Sequence, residues 1–282
     1  MIIIGGTASK DIAKEVAKNS EHNLLPLEIK RFPDKELYVR LKKPVKNENV
    51  TIIQTTYPDE HIIELFLLLD AVKRAKADQI TVVIPYFGYA RQDKQFKKGE
   101  PISAQAIAEL ISHYADNIIT IDPHKEHILD FFTVPAKSIT AVTPLASYFK
   151  NKHIDFVLAP DKGAIHRAKK TAKILTCDVD YMEKTRIDGS TIKIAPKNIN
   201  VKNKNTLIID DIISTGGTMA TSIQELKKQG AKKVFVACTH GLFAGNAVQK
   251  LQSANCEEII ATDTIISEFS KVKTAEIIAE TL

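Results

Sequence analysis

The chain has 282 residues, 44% hydrophobic and 26% charged, and its 39 basic and 34 acidic residues give a net charge of +5. That is enough material for one large domain or two ordinary ones. It excludes a bilayer-spanning helix, because no apolar run nears the roughly 20 residues required, and the dispersed positive charge is unlike the concentrated patch of a nucleic-acid binder.

In chain order, Met1-Ile2-Ile3-Ile4-Gly5-Gly6 has no basic flank and is too short for a secretion signal. Ile2–Ile4 therefore reads as a buried first strand, and the protein is expected in the cytoplasm. Further strands are expected at Val50–Gln54, Ile80–Ile84, Ile118–Ile121, Phe156–Leu158, Thr206–Ile209, Val234–Ala237 and Glu258–Ala261. Most are Val, Ile and Leu runs with little polar alternation, the pattern of strands buried on both faces of a parallel sheet. Between them lie amphipathic helical stretches at Ser9–Asn19, Glu60–Lys76, Ser103–Tyr114, Ala164–Leu175, Thr218–Gln229 and Ala244–Ser253. Alternating strands and helices with short connections predict a doubly wound α/β architecture. Three cysteines, Cys177, Cys238 and Cys256, form no Cys-x-x-Cys pair and read as buried free thiols in a reducing compartment.

The order of elements occurs twice. Residues 50–57 can be laid over 205–213, residues 80–88 over 233–241, and the segments 27–41 and 180–194 both look like hairpins. The offset is roughly 150 residues, about one domain. Two tandem α/β domains are expected, 1–140 and 141–282, with the boundary in Lys137–Thr143 ahead of a helix starting at Pro144.

The strongest chemical signal runs from Ile208 to Thr218. A buried strand leads into Asp210 and Asp211, then Ser214-Thr215-Gly216-Gly217-Thr218, then a helix. Glycines permit a tight turn and close approach to a ligand. Hydroxyls and free N–H groups at a helix start form an anion site, aided by the helix dipole. Ionised carboxylates only accept hydrogen bonds, so two beside a phosphate pocket favour a ligand carrying hydroxyls as well as phosphate, such as a ribose 5-phosphate. Other segments have chemistry of their own. Phe32 can stack on a purine, with Asp34 and Glu36 as acceptors. Arg91 and Gln92 follow a strand, where ligands of open α/β sheets bind, and Arg suits bidentate phosphate contact. His124 and Asp161 also follow strands; His127, near His124, reads as a structural or supporting residue on the next helix. Lys184 and Arg186 fall in a charged loop before the Asp188-Gly189-Ser190 turn. No cysteine–histidine cluster suggests zinc.

The Ile208–Thr218 run resembles the phosphoribosyl-binding motif of type I phosphoribosyltransferases and of ribose-phosphate pyrophosphokinases. Arg31-Phe32-Pro33-Asp34-Lys35-Glu36, Tyr89-Ala90-Arg91-Gln92-Asp93-Lys94, Asp122-Pro123-His124, Pro160-Asp161-Lys162-Gly163 and Glu183-Lys184-Thr185-Arg186 are similar to segments of the second family, in its order and over the whole chain, closest to its archaeal members. The resemblance implies two tandem type I phosphoribosyltransferase-like domains, the first on the ATP side and the second on the ribose 5-phosphate side. It implies transfer of the diphosphoryl group of Mg-ATP to the 1-hydroxyl of ribose 5-phosphate. ATP would be bound by Phe32, Asp34, Lys35 and Glu36 of a neighbouring subunit and by Arg91, Gln92 and His124. Ribose 5-phosphate would be bound by Asp210, Asp211, Ser214, Thr215, Gly216, Gly217, Thr218 and Arg186. Lys184 and Arg186 would be catalytic, and Mg2+ would be held at His124 and Asp161. A homo-oligomer, at least a dimer, follows from the shared adenine clamp. A phosphoribosyltransferase would share only the Asp210–Thr218 run, and a non-catalytic paralogue would lack catalytic-loop or phosphate-loop residues.

Overall fold

Ile3 and Ile4 are neighbours in sequence and both are fully buried, which in a strand means that both faces of the sheet are covered. The same holds for Ile52 and Ile53, and for Val82, Val83 and Ile84. The computed structural model describes residues 1–186, 192–195 and 199–282. It divides into two units, Met1–Thr140 with Lys273–Leu282, and Ala141–Val272.

The first unit contains β1 (Ile2–Gly5), α1 (Lys10–Asn19), β2 (Asn23–Leu24), β3 (Leu27–Arg31), β4 (Leu37–Leu41), β5 (Asn49–Ile53), α2 (Asp59–Arg74), β6 (Gln79–Ile84), α3 (Ser103–Ser112), β7 (Asn117–Ile121) and β8 (Ala136–Ile139). Six strands form one sheet in the order β2-β1-β5-β6-β7-β8, every pairing parallel. β3 and β4 form a separate antiparallel hairpin, Leu27 opposite Leu41.

Helix α2 shows how the sequence sets this packing. Asp59 and Glu60 occupy its first turn and Lys73 and Arg74 its last, each complementing the helix dipole. Ile62, Leu65, Leu68, Leu69 and Val72 make its buried stripe, at the three- and four-residue spacing of one helical face. Each fully buried leucine contributes roughly 1.5–3 kcal/mol; truncating Leu65 to alanine is expected to cost about 2–5 kcal/mol.

The second unit begins with α4 (Val142–Tyr148) and then repeats the order of the first: β9 (Phe156–Ala159), α5 (Ile165–Leu175), β10 (Asp178–Tyr181), β11 (Glu183–Arg186), β12 (Ile192–Ala195), β13 (Asn205–Ile213), α6 (Gly217–Lys228), β14 (Lys233–Gly241), α7 (Ala247–Ser253), β15 (Glu258–Thr262) and β16 (Ser270–Val272). Its sheet order, β10-β9-β13-β14-β15-β16, is also parallel throughout. β11 and β12 form the matching antiparallel hairpin. In each sheet the strand order reverses at one place, between β1 and β5 and between β9 and β13. Open α/β sheets bind ligands at the carboxyl ends of strands at such reversals.

The expected strands and helices are present, and several short elements were not foreseen. β2, β8, β10 and β16 are short or partly polar. β8 falls in the stretch that reads as a linker, and α4 starts at Val142, ahead of Pro144. The sequence reading carried the second domain to residue 282, whereas the residues from Lys273 onward belong with the first unit, where α8 (Ala275–Ala279) packs on α1. In the second unit α4 packs on α5, the counterpart of α1, so each unit receives one extra helix at the same place. Among the described residues no helix is long and apolar enough to cross a membrane.

Candidate active site

In the second unit, Asp210 and Asp211 lie within β13, because the strand runs on to Ile213. The sequence reading ended the strand before them. Asp211 is buried, whereas the side chain of Asp210 keeps 22% exposure. The backbone N–H of Asp211 donates to Oδ1 of Asp210 at 2.9 Å. Arg167 of α5 faces both carboxylates, its Nη1 3.8 Å from Oδ1 of each. Burial and the adjacent charge of Asp211 push the Asp210 carboxyl above its ordinary pKa, against the pull of Arg167.

After Ile213 the chain turns through Ser214, Thr215 and Gly216 into α6. Gly216 has φ +71°, and a Cβ there would lie 3.0 Å from the carbonyl oxygen of Ala247. The position needs glycine for its conformation and for its closeness to α7. Gly217 has open space around it. Ala244 N–H donates to the Ser214 carbonyl at 2.9 Å, and Lys250 Nζ to that of Thr215 at 3.2 Å, which fixes the loop from outside. The N–H groups of the first turn of α6 have no helical acceptor. Together with the hydroxyls of Ser214, Thr215 and Thr218 they suit a phosphate. The loop after β9 emerges beside this one, since β9 pairs with β13. There Oδ1 of Asp161 accepts from the N–H groups of Gly163 at 2.8 Å and Ala164 at 3.3 Å.

Lys184 and Arg186 stand in strand β11, opposite Ile194 and Ile192 of β12. They are strand residues, and this corrects the expectation of a loop. Backbone pairing across the hairpin is the reason. The Asp188–Ser190 turn lies outside the described residues.

In the first unit, Phe32 is at the tip of the β3–β4 hairpin, 44% exposed, edge-on to Tyr38 with ring centroids 5.6 Å apart. The tip closes by Phe32 N–H donating to the Glu36 carbonyl at 2.9 Å, and by Oδ1 of Asp34 accepting from the Glu36 N–H at 3.0 Å. Lys35 takes the left-handed position, φ +74°. Arg31 donates to the Lys35 carbonyl at 2.8 Å and pairs with Glu60 of α2. Phe32, Asp34, Lys35 and Glu36 thus sit on a braced, solvent-facing tip.

The loop after β6 is held differently. A Cβ at Gly88 would lie 2.2 Å from the Thr56 carbonyl oxygen, so that loop passes close over the one after β5. Tyr89 donates its hydroxyl to Asp59 at 2.9 Å. Arg91 is exposed. The Gln92 amide is engaged with the Pro101 carbonyl at 3.3 Å and the Ser103 hydroxyl at 2.8 Å, which pins the loop to the start of α3. His124, half-buried, follows β7. His127 lies in the short 3-10 segment Glu126–Phe131, and its Nε2 is 3.1 Å from Oδ2 of Asp93. The loops carrying Arg91 and His124 are therefore joined.

Sequence reasoning missed Arg167 and Glu64. Arg167 was one of several basic residues on an amphipathic helix, and nothing local singled it out. Glu64 interrupts an apolar run; buried at 2% exposure, it accepts from the Thr7 N–H at 2.6 Å and from the Thr7 hydroxyl. In the first unit a carboxylate of the protein itself thus occupies the loop after β1. Among the described residues no three His, Cys, Asp or Glu side chains converge as metal ligands.

A sequence model of the N-terminal domain of ribose phosphate pyrophosphokinase matches residues 1–114, and one of the phosphoribosyl transferase domain matches residues 138–273. The chain is 39% identical to a ribose-phosphate pyrophosphokinase of Methanothermobacter thermautotrophicus, covering 100% of this chain and 99% of that one. It is 43% identical to a ribose-phosphate pyrophosphokinase of Methanosarcina mazei, covering 99% and 94%. The crystal structure of a phosphoribosylpyrophosphate synthetase from Mycobacterium smegmatis superposes with a TM-score of 0.87 at 30% identity, covering 99% and 96%.

Proposed function

The chain belongs to the ribose-phosphate pyrophosphokinase family, and on that premise we propose that it transfers the β,γ-diphosphoryl group of ATP to the 1-hydroxyl of ribose 5-phosphate, releasing AMP and forming 5-phosphoribosyl 1-diphosphate. The observation that carries this reading is the continuity of β13: two carboxylates at its end run straight into a hydroxyl- and N–H-rich loop at the start of α6. One stretch of chain thereby offers acceptors for sugar hydroxyls and donors for a phosphate.

In this reading Ser214, Thr215, Gly216, Gly217 and Thr218 hold the 5-phosphate, and Asp210 and Asp211 accept from the 2- and 3-hydroxyls. Arg91, Gln92 and His124 bind ATP. Phe32, Asp34, Lys35 and Glu36 are supplied to the adenine by a second copy of the chain, so the working form is a homo-oligomer, at least a dimer. Lys184 and Arg186 neutralise charge that builds on the transferring group and the leaving AMP, Arg186 also touching the ribose 5-phosphate. Transfer of this kind depends on positioning and charge stabilisation, with little covalent work for the protein. His124 and Asp161 would contact Mg2+ or its water shell; when bound, the ion screens the phosphate charges. The product serves nucleotide biosynthesis, and the cytoplasm, where ATP is plentiful, is the proposed location.

The test is a phosphorus NMR time course with Mg-ATP and ribose 5-phosphate, alongside a Lys184→Ala sample. AMP and a C1-linked diphosphate are expected to appear together, and to be nearly absent in the variant. ATP left intact under several divalent metals and temperatures would overturn the assignment.

A further inference from the structure

We propose that Phe96 is a stacking surface for the purine base of ATP, held out from the loop after β6 by Glu100; the proposal rests on the ATP-binding reading above and adds a base-binding residue to it. The loop is a closed excursion. Nε2 of Gln92 donates to the Pro101 carbonyl at 3.3 Å, and its Oε1 accepts from the Ser103 hydroxyl at 2.8 Å, so residues 93–100 leave and return at one place. Compact surface loops with adjoining ends are frequently functional.

Within the excursion, Glu100 sets the backbone. Its Oε2 accepts from the N–H groups of Phe96 at 2.8 Å and Lys97 at 2.9 Å. The Glu100 N–H donates to the Lys97 carbonyl at 3.2 Å, and Nε2 of Gln95 to the Glu100 carbonyl at 2.6 Å. Asp93, at the start, is tied to His127. Phe96 is nonetheless 62% exposed, more than any other large hydrophobic side chain among the described residues. Nζ of Lys94 lies over its ring, 5.4 Å from the centroid, so a cation backs one face of a ring that otherwise meets solvent. Singly exposed hydrophobic residues need no explanation; this one differs because its backbone is fixed on both sides. A ring fixed in advance loses less freedom when a ligand stacks on it.

The surrounding charge indicates what that ligand is. Lys94, Lys97 and Lys98 share the excursion with Asp93 and Glu100, and both carboxylates are engaged, with His127 and with the loop backbone. A flat apolar face among cations suits a nucleotide, since every base has a π-face and every phosphate a negative charge. Arg91 stands on the same loop. One chain thus offers a ring to the base and cations to the phosphates.

The chain contains no tryptophan, so Phe96→Trp places a single fluorophore at this position in the full-length protein. ATP is expected to quench its emission saturably. Tripolyphosphate, which carries the charge but no base, is expected to leave the emission unchanged. Equal quenching by both, or no quenching by ATP in a variant that still turns over, would overturn the proposal. So would emission that changes with protein concentration before any ligand is added, which would place the ring against a second copy of the chain. Kinetics give a second readout. Phe96→Ala is expected to raise KM for ATP by about fivefold to a hundredfold, the usual loss for one stacked base, and to leave KM for ribose 5-phosphate unchanged. Phe96→Tyr, which keeps a ring, is expected to match wild type in both. Equal rises in both KM values for Phe96→Ala would overturn the base contact. An unchanged KM for ATP in Glu100→Ala would overturn the part assigned to Glu100. A wild type that leaves ribose 5-phosphate untouched would bring down the functional reading, whereas the fluorescence titration is independent of turnover and decides Phe96 by itself.

Discussion

Nε2 of His127 lies 3.1 Å from Oδ2 of Asp93, and that contact joins the loop after β6 to the turn after β7. Both loops sit at the carboxyl edge of the first sheet, on adjacent strands. The His127 side chain is half-exposed and that of Asp93 is largely covered, so the pair is worth at most about 1 kcal/mol. His127→Ala is therefore expected to leave thermal stability nearly unchanged and to weaken ATP binding by no more than about fivefold, read by titration with a non-hydrolysable ATP analogue. A larger loss would place His127 in direct contact with the nucleotide.

Glu64 predicts a pH-dependent stability. Burial raises its pKa, but hydrogen bonds from His61 and Thr7 outweigh that and hold the carboxyl below its ordinary value of 4.5. A depressed carboxylate contributes its stability above the unfolded pKa and loses it as pH falls through the lower folded value. Glu64→Gln should cost about 1–3 kcal/mol at neutral pH, and the gap to wild type should narrow as pH drops below 4.5. Urea melts at pH 7 and in acid measure it; an equal gap at both would assign the loss to packing.

The two loop glycines should separate cleanly. Gly216→Ala forces a side chain into a left-handed conformation against the Ala247 carbonyl and is expected to cost about 1–3 kcal/mol, with weaker binding of ribose 5-phosphate. Gly217→Ala meets nothing and opens a helix, so its stability should stay within about 0.5 kcal/mol. Paired denaturation curves decide between crowding and a general need for glycine.

Lys184→Ala should lower kcat on the order of a hundredfold to a thousandfold, the usual range for losing a group that stabilises transition-state charge. KM for ATP should move far less. Equal losses in both would mark Lys184 as a binding residue.

The cysteines predict chemical inertness. Burial pushes the Cys177 thiol up to about 11 and that of Cys256 to about 12, and fully buried Cys238 is raised further. Only thiolate reacts, so labelling of the native protein at pH 8 should be slow at all three and fast once it is unfolded. Rapid labelling of one cysteine before unfolding would show that it is more accessible than its surroundings indicate.

Much of the architecture was legible in the sequence because both-face burial leaves a plain mark: Ile52-Ile53, Val82-Val83-Ile84 and Ile208-Ile209 are short β-branched runs that read as covered strands, and they recur in the same order in each half. Asp210 to Thr218 was legible for a similar reason, since a strand, two acids, small hydroxyls and glycines lie side by side along the chain. The short β2, β8, β10 and β16 were not, because edge strands owe their form to a partner already in place rather than to their own residues. Local sequence likewise gave no hint that α8 packs with the first unit. Arg167, Glu64 and the His127–Asp93 contact belong to the tertiary structure alone. Arg167 is separated from Asp210 by the whole of β10 to β12, and Glu64 from Thr7 by 57 positions. A charge on a helix carries no local sign of what it will face; only the closing of the sheet brings Arg167 over two carboxylates and Glu64 under the Thr7 amide, and there low exposure turns ordinary surface residues into fixed electrostatic ones.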